Sequence, residues 1–237
     1  MSNGTLAVER FMAVIKGVCQ KTGHPMPPHL TPLAGGHAIP EPPPLEEALE
    51  TAGLALDDAQ SACLFANIVN LTISDGRVRD RSLVELAAEA LRLDRESARD
   101  VQESLEARSQ VNAFRDDDEW ALFCAVLLAM AAADEEVVQS ETAYLQRFVP
   151  DLKHIEAGKK FLKEKADSLD DEVARLSTRQ KRCLTAHAIG MMLIDGDYKG
   201  TERELLESLS DQMSLAQYDQ DRLLKGLYAL YNVSVLA

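Results

Sequence analysis

Acidic side chains gather at two short turns of this sequence, in numbers sufficient to bind a metal ion. One cluster comprises Asp134, Glu135, Glu136 and Glu141, and the other comprises Asp195, Asp197, Glu202 and Glu204. Carboxylate oxygens are the ligands that hard cations such as Ca²⁺ and Mg²⁺ prefer. The candidate ligands for a bound Ca²⁺ or Mg²⁺ are therefore Asp134, Glu135, Glu141, Asp195, Asp197 and Glu202.

The same residues have a structural interpretation, which we favour. An Asp-Gly pair closes a preceding helix, and a Glu in the first turn of the next helix complements its dipole. The turn at Asp195 also departs from a calcium-binding helix–loop–helix, because Lys199 and Leu206 occupy the fifth and twelfth ligand positions. The predicted structural turn residues are Asp75, Gly76, Asp134, Asp195 and Gly196.

Three helix-capping pairs precede these turns at one fixed distance. The spacing is 18 residues from Asp57 to Asp75, from Asp116 to Asp134 and from Ser177 to Asp195. Each opening residue is followed three positions later by Gln60, Glu119 or Gln180, which is the pattern of a reciprocal helix cap. We therefore predict three repeats, near residues 57–115, 116–176 and 177–237.

Helical periodicity continues from residue 45 onward. No segment alternates apolar and polar residues for long enough to predict a strand. Helices are predicted near 57–74, 80–92 and 95–108, near 116–133, 139–149 and 153–168, and near 177–194, 201–212 and 215–233, after a short one near 45–52. Apolar residues at matching distances from the motif Asp predict shared core positions. These are Leu64, Phe123 and Leu184; Ala66, Ala125 and Ala186; Leu71, Met130 and Met191; and Leu86, Leu145 and Leu206.

The N-terminal part has a different organisation. Residues 1–23 contain an amphipathic helix over 5–22, and residues 24–44 form a linker with eight of the nine prolines, which predicts an extended segment. The helical domain then occupies residues 45–237. We expect the first helix to dock on its own chain; the alternatives are docking on a partner or homo-oligomerisation through residues 1–44.

Composition restricts the classes of partner. The 237 residues include 25 Lys and Arg against 39 Asp and Glu, a net charge of −14. Such a surface repels nucleic acid and anionic lipid. The longest apolar run, 120–133, is too short to span a membrane. Four isolated cysteines favour a reducing cytoplasm; a position peripheral to the inner membrane is the alternative.

The remaining titratable side chains give weaker signals. His187 lies on a predicted core helix and is expected to be a hydrogen-bonded core residue, whereas His154 is expected to be exposed. His24, His29 and His37 fall in the linker, where binding a transition metal would cost ordering entropy. The basic run from Lys159 to Lys165 is expected to be a solvated face.

The turns resemble those of the TerB-like family, named for tellurite-resistance proteins and also found in DnaJ-like co-chaperones. The matching segments are Ser74–Val78, Ala133–Val137 with Glu141, and Ile194–Tyr198 with Glu202. The resemblance covers most of residues 57–213, although the second turn lacks the Gly. It implies an all-α TerB-like helical bundle, a bacterial stress or tellurite-resistance role, protein partners and a divalent cation.

These observations predict a non-enzymatic scaffold with no catalytic residue and no cofactor-binding residue. The enzymatic alternative is a helical, carboxylate metal-dependent enzyme. A di-iron bundle would need inward-facing Glu-x-x-His pairs, and the sequence contains none. A homo-oligomerisation module is the third alternative.

Overall fold

The computed structural model describes residues 3–34, 41–132, 139–194 and 200–236. The chain forms two compact units: unit 1 comprises residues 1–105 and 225–237, and unit 2 comprises residues 106–224. The described residues are almost entirely helical, which confirms the all-α fold class.

Unit 1 begins with a long helix and contains a short hairpin. Its elements are α1 (Asn3–Thr22), α2 (Thr31–Ala34), α3 (Leu45–Ala55), α4 (Asp58–Thr72), β1 (Ile73–Ser74), β2 (Arg77–Val78), α5 (Arg81–Ala90) and most of α6 (Arg95–Arg108). Unit 2 contains α7 (Asp117–Ala131), α8 (Gln139–Phe148), α9 (Leu152–Lys165), α10 (Leu169–Ala174), α11 (Thr178–Leu193) and α12 (Gly200–Gln212). The last helix, α13 (Gln217–Tyr231), begins in unit 2 and ends in unit 1.

Helix α1 docks on its own chain, as expected. It packs against α3 and α4, and Phe11, Met12 and Ile15 are fully buried. The apolar stripe read from the sequence is therefore part of the core of unit 1.

The prediction of an extended linker is wrong for residues 28–34. A 3-10 turn, Pro28–Leu30, leads directly into α2, and Leu30 is fully buried. The His29 Nε2 atom lies 2.8 Å from the Asn67 Oδ1 atom, and the His29 ring packs against Tyr231. Tertiary contacts therefore fold a segment whose proline content favoured an extended chain.

The three predicted core helices begin at their predicted caps. Reciprocal hydrogen bonds between Asp57 and Gln60 open α4, and the same pattern between Ser177 and Gln180 opens α11. At the start of α7 the Asp116 carboxylate accepts from the backbone N–H of Glu119 at 2.8 Å. The return bond differs from the prediction, because the Glu119 carboxylate accepts from the backbone N–H of the residue before Asp116 at 2.6 Å.

The predicted core positions are buried with one exception. Leu86 is half-buried; the buried ones are Leu64, Phe123, Leu184, Ala66, Ala125, Ala186, Leu71, Met130, Met191, Leu145 and Leu206. The structure also adds α10, a helix of six residues that the sequence did not predict.

Helices α7 and α9 pack closely because of one glycine. A Cβ atom placed on Gly158 of α9 would lie 2.6 Å from the Cβ atom of Cys124 and 2.9 Å from the backbone nitrogen of Ala125 on α7. Only a residue without a side chain permits this approach. Gly158 therefore fixes the helix pair that carries one wall of the cavity described below.

Candidate functional site

The first Asp-Gly turn is a β-hairpin, not a simple helix terminus. Asp75 and Gly76 have φ angles of 53° and 76°, and Ile73 pairs with Val78 while Ser74 pairs with Arg77. Positive φ at both central residues is the geometry of a type I′ turn, for which Asp-Gly is a preferred pair. The expectation of no strand is therefore wrong here, and the Asp-Gly dipeptide was the signal that could have revealed it.

The carboxylate of Asp75 is already bound to a cationic side chain. Arg79 Nη2 donates to Asp75 Oδ2 at 2.7 Å, and the Ser74 hydroxyl lies 3.3 Å from the same oxygen. Val78, the apolar residue that follows the turn, is buried. Asp75 and Gly76 are thus turn residues, as predicted, but they close a hairpin and not the end of α4.

A second ion pair ties the segment after the hairpin to α1. The Lys21 ammonium lies 2.8 Å from the carboxylate of Asp80, which also caps α5 by accepting from the Leu83 N–H at 3.0 Å. The hydrogen bond from Lys21 and that from Leu83 lower the pKa of Asp80 to about 2. Asp80 is therefore ionised throughout the neutral and mildly acidic range.

The structure does not describe the side chains that were predicted to bind a metal ion. Asp134, Glu135, Asp195, Gly196 and Asp197 lie outside the described residues, as do the side chains of Glu141 on α8 and Glu202 on α12. Within the described part of the chain, no group of three or more His, Cys, Asp or Glu side chains is placed to hold a metal ion. The metal-ligand assignment stays a prediction.

His187 is a core histidine with both ring nitrogens bonded, as expected. Its Nε2 atom lies 2.8 Å from the backbone oxygen of Arg108, and its Nδ1 atom lies 3.1 Å from the Tyr144 hydroxyl. Burial, followed by the charge of Arg108, lowers the pKa of His187 to about 3. The imidazole is therefore neutral at physiological pH and serves packing.

The expectation that His154 is exposed is wrong. Only 5% of His154 is exposed, because its ring stacks on Trp120 with a centroid separation of 5.8 Å. Its Nε2 atom lies 2.9 Å from the carboxylate of Asp117, and this hydrogen bond is the main cause of the lowered pKa of Asp117. The pair joins the first turn of α9 to the first turn of α7.

Three of the four thiols are buried and unsuited to nucleophilic chemistry. Burial raises the pKa of Cys63, Cys124 and Cys183 to about 12 in each case. A thiol must ionise to act as a nucleophile. These residues therefore act as small apolar side chains.

An apolar cavity in unit 2 is the feature that the sequence did not predict. Its volume is about 560 Å³, and its apolar lining comes from α7, α8, α9 and α11 through Leu128, Ala131, Leu145, Leu152, Ile155 and Met191. The cavity reaches the surface at α9, where Leu152 is 61% exposed. Volumes between about 300 and 1,000 Å³ with mostly apolar walls are typical of binding sites.

The charged residues that the structure describes at the cavity belong to α9. Glu156 and Lys159 line it and form an ion pair at 2.8 Å. The exposed surface of the same helix continues with Lys160 and Lys163. Neither of these lysines has an ion-pair partner within the described ranges. Exposed lysines therefore continue along α9 beyond the ion pair at the cavity, although the chain as a whole is acidic.

Two smaller cavities have more polar walls. One in unit 1, of about 380 Å³, is lined by Arg92, Lys225 and Tyr228 among others. The other, in unit 2 and about 340 Å³, is lined by acidic and basic side chains that include Glu172 and Arg175, which pair with each other. Both have fewer apolar walls than the larger cavity, which is the best candidate for a binding site.

Among the described residues, no helix combines the length and the apolar character needed to cross a membrane. No protein-family model matches the chain, and no curated protein or solved structure is significantly similar to it. The resemblance to the TerB-like family therefore rests on the turn motifs, and the functional argument rests on the geometry of this chain.

Proposed function

We propose that this protein is a non-enzymatic helical scaffold that binds partner proteins. The observation that carries the proposal is the apolar cavity of unit 2, which is open beside the exposed side chain of Leu152. An apolar side chain of a partner would fill the cavity, so that the cavity lining and the side chain would both leave water. This burial stabilises a complex by about 25 cal/mol for each Å² of apolar area. Anchors of this kind dominate the energetics of protein interfaces.

The chemistry of the cavity supports binding over catalysis. Among the residues that the structure describes, Glu156 and Lys159 are the only charged ones that line it, and each neutralises the other. A catalytic site usually brings together titratable groups with perturbed pKa values. Leu128, Leu145 and Ile155 instead offer the shape and polarity that an aliphatic or aromatic anchor requires.

The family resemblance supplies the biological setting of the proposal. The TerB-like turns at Asp75, Asp134 and Asp195 support a TerB-like helical-repeat scaffold in a bacterial stress or tellurite-resistance pathway. The isolated cysteines support a cytoplasmic location. The pathway and the location do not depend on the cavity. The identity of a partner bound at the cavity would therefore be an independent test of both.

Site-specific photo-crosslinking in the native cells would test the scaffold function. A photoreactive residue at Thr142, which lines the cavity, should crosslink to one or a few defined proteins that mass spectrometry can identify. The matched control is the same residue at Glu89, an exposed position on α5. The crosslink at Thr142 should disappear with Leu152→Glu, which places a charge at the edge of the cavity. Equal labelling from Thr142 and Glu89 would contradict the proposal.

Cation binding at the acidic turns is a separate part of the proposal. The clusters at Asp134 and Asp195 contain the oxygen ligands that Ca²⁺ or Mg²⁺ requires. Calorimetric titration with Ca²⁺, Mg²⁺ and Zn²⁺ should show binding that the paired change Asp134→Ala and Asp195→Ala abolishes. Heat signals that are unchanged in this double variant would exclude these turns as the ligands.

A further inference from the structure

Helix α3 presents an acidic face that ends in an exposed leucine. Glu46, Glu47 and Glu50 are exposed, and none of their carboxylates has a partner among the residues that the structure describes. Leu54 lies on the same side of the helix and is 76% exposed, the highest value among the exposed large apolar side chains of the described residues. This face therefore places an exposed apolar side chain beside carboxylates that a cationic surface could pair with.

Helix α9 of unit 2 has the complementary chemistry. Ile155 lines the apolar cavity, Lys159 stands at its rim, and Lys163 follows on the exposed side. Lys163 lacks an ion-pair partner in the described ranges. One helix therefore offers an apolar side chain with acidic neighbours. The other offers an apolar cavity with Lys159 at its rim, where Glu156 pairs with it, and with Lys163 farther along the helix.

The residues on α3 and those on α9 have the same spacing when the two helices are read in opposite directions. Leu54, Glu50 and Glu46 are separated by four residues each, and so are Ile155, Lys159 and Lys163. Four residues advance a helix by about 6 Å and return to nearly the same face. If α3 lies antiparallel to α9 with Leu54 at the cavity, Glu50 faces Lys159 and Glu46 faces Lys163.

We propose that the cavity of unit 2 receives helix α3 of a second copy of this chain. This assignment rests on the proposed function, since it names the partner of the same cavity. Leu54 supplies the apolar anchor, and the glutamates of α3 pair with the lysines of α9. The contact joins different surfaces of the two copies. Two copies form a closed dimer if each places its α3 in the cavity of the other, and otherwise the assembly adds further copies.

The contact is small, and self-association is expected to be weak. A single helix against a shallow groove lies at the lower end of interface sizes, which is typical of transient complexes. Sedimentation of the 237-residue chain should show an average mass that rises between about 1 and 100 μM, the range in which weak complexes assemble. High salt should reduce it, because charges at the rim of an interface are screened.

Charge reversal with rescue would test the pairing. Leu54→Ala should weaken association by about tenfold or more, as the loss of a buried anchor does. Glu46→Lys and Lys163→Glu should each weaken it, and the two changes together should restore it because the pair re-forms with opposite polarity. Glu89→Lys is the matched control, and circular dichroism should show unchanged helicity in every variant.

Three outcomes decide whether α3 of a second copy occupies the cavity. Concentration-dependent mass that the single changes remove and the double change restores would establish the contact. A monomer over the whole range, or association that these changes leave unaltered, would overturn it. If the chain is monomeric but Thr142 still crosslinks to another protein, the scaffold function stands and only the second copy is excluded as the occupant.

Discussion

At the scale of single residues, two buried histidines are held by specific neighbours. His187 is fully buried, and its two nitrogens are satisfied by Arg108 and Tyr144. His154 is buried with Trp120 and Asp117 as neighbours. The helical periodicity predicted burial for His187, because its position lies on the core face. The same periodicity could not predict burial for His154, because Trp120 is distant in sequence.

The neutral state of His187 makes folding sensitive to pH. Its pKa is about 3 in the folded chain and about 6.5 when unfolded. The unfolded state therefore takes up a proton below about pH 6.5 while the folded state does not, and stability falls as the pH is lowered towards 3. One such proton contributes a slope of at most about 1.4 kcal/mol per pH unit.

Urea unfolding monitored by Trp120 fluorescence would measure this effect. Between about pH 6 and pH 4, the His187→Gln variant should lose stability less steeply than the unaltered chain. His24→Gln, at an exposed position, is the control and should leave the slope unchanged. Identical slopes in all three proteins would show that His187 is not the residue responsible.

Individual elements depend on positions where a side chain is excluded or a left-handed backbone is required. Gly158 allows α9 to approach α7, and Gly76 completes the hairpin after α4. Neither requirement is visible in helical periodicity. The Asp-Gly dipeptide does indicate a hairpin turn by itself, whereas the need for Gly158 appears only when two helices are in contact.

Gly158→Ala should destabilise unit 2 by about 1–3 kcal/mol, since the added methyl group meets the backbone of α7. Gly17→Ala on α1 is the matched control, because the nearest atom there is the Cδ1 end of Leu45 at 3.2 Å, which can move. That control should be neutral or slightly stabilising, as alanine favours a helix over glycine. Chemical denaturation of both variants would compare them; equal effects would contradict the close contact.

Gly76→Ala should cost about 1–2 kcal/mol, because residue 76 has a φ of 76° that an L side chain disfavours. Asp75→Asn should be much milder, since asparagine tolerates the left-handed conformation and only the exposed contact with Arg79 weakens. Thermal unfolding followed by circular dichroism would rank the two. A milder loss for Gly76→Ala than for Asp75→Asn would exclude the type I′ turn.

At the scale of the whole molecule, the N-terminal helix belongs to the core of unit 1. Phe11, Met12 and Ile15 of α1 are fully buried. A chain that lacks residues 1–22 should therefore lose the cooperative unfolding of unit 1, because removal of each buried side chain costs about 2–5 kcal/mol and a folded domain has only about 5–15 kcal/mol in total.

Scanning calorimetry of the truncated chain would test this expectation. Leu6→Ala is the control, since Leu6 is partly exposed on α1 and its loss should have little effect. A truncated chain with an unchanged transition would show that α1 is dispensable for folding. The alternative of homo-oligomerisation through residues 1–44 would then regain support.

The sequence by itself determined the helical class, the three capped core helices and their buried positions. These features arise from interactions within about one helical turn and from the period of the apolar residues. Asp57 with Gln60 and Ser177 with Gln180 form their caps between residues that are three positions apart.

Only the tertiary structure decided the burial of His154, the folding of residues 28–34 and the cavity of unit 2. Each depends on groups that are far apart in sequence. The cavity, for example, joins Leu128, Leu145, Ile155 and Met191 from four helices. A local pattern identifies which face of a helix is apolar, but it does not specify which neighbours cover that face or where they leave a gap.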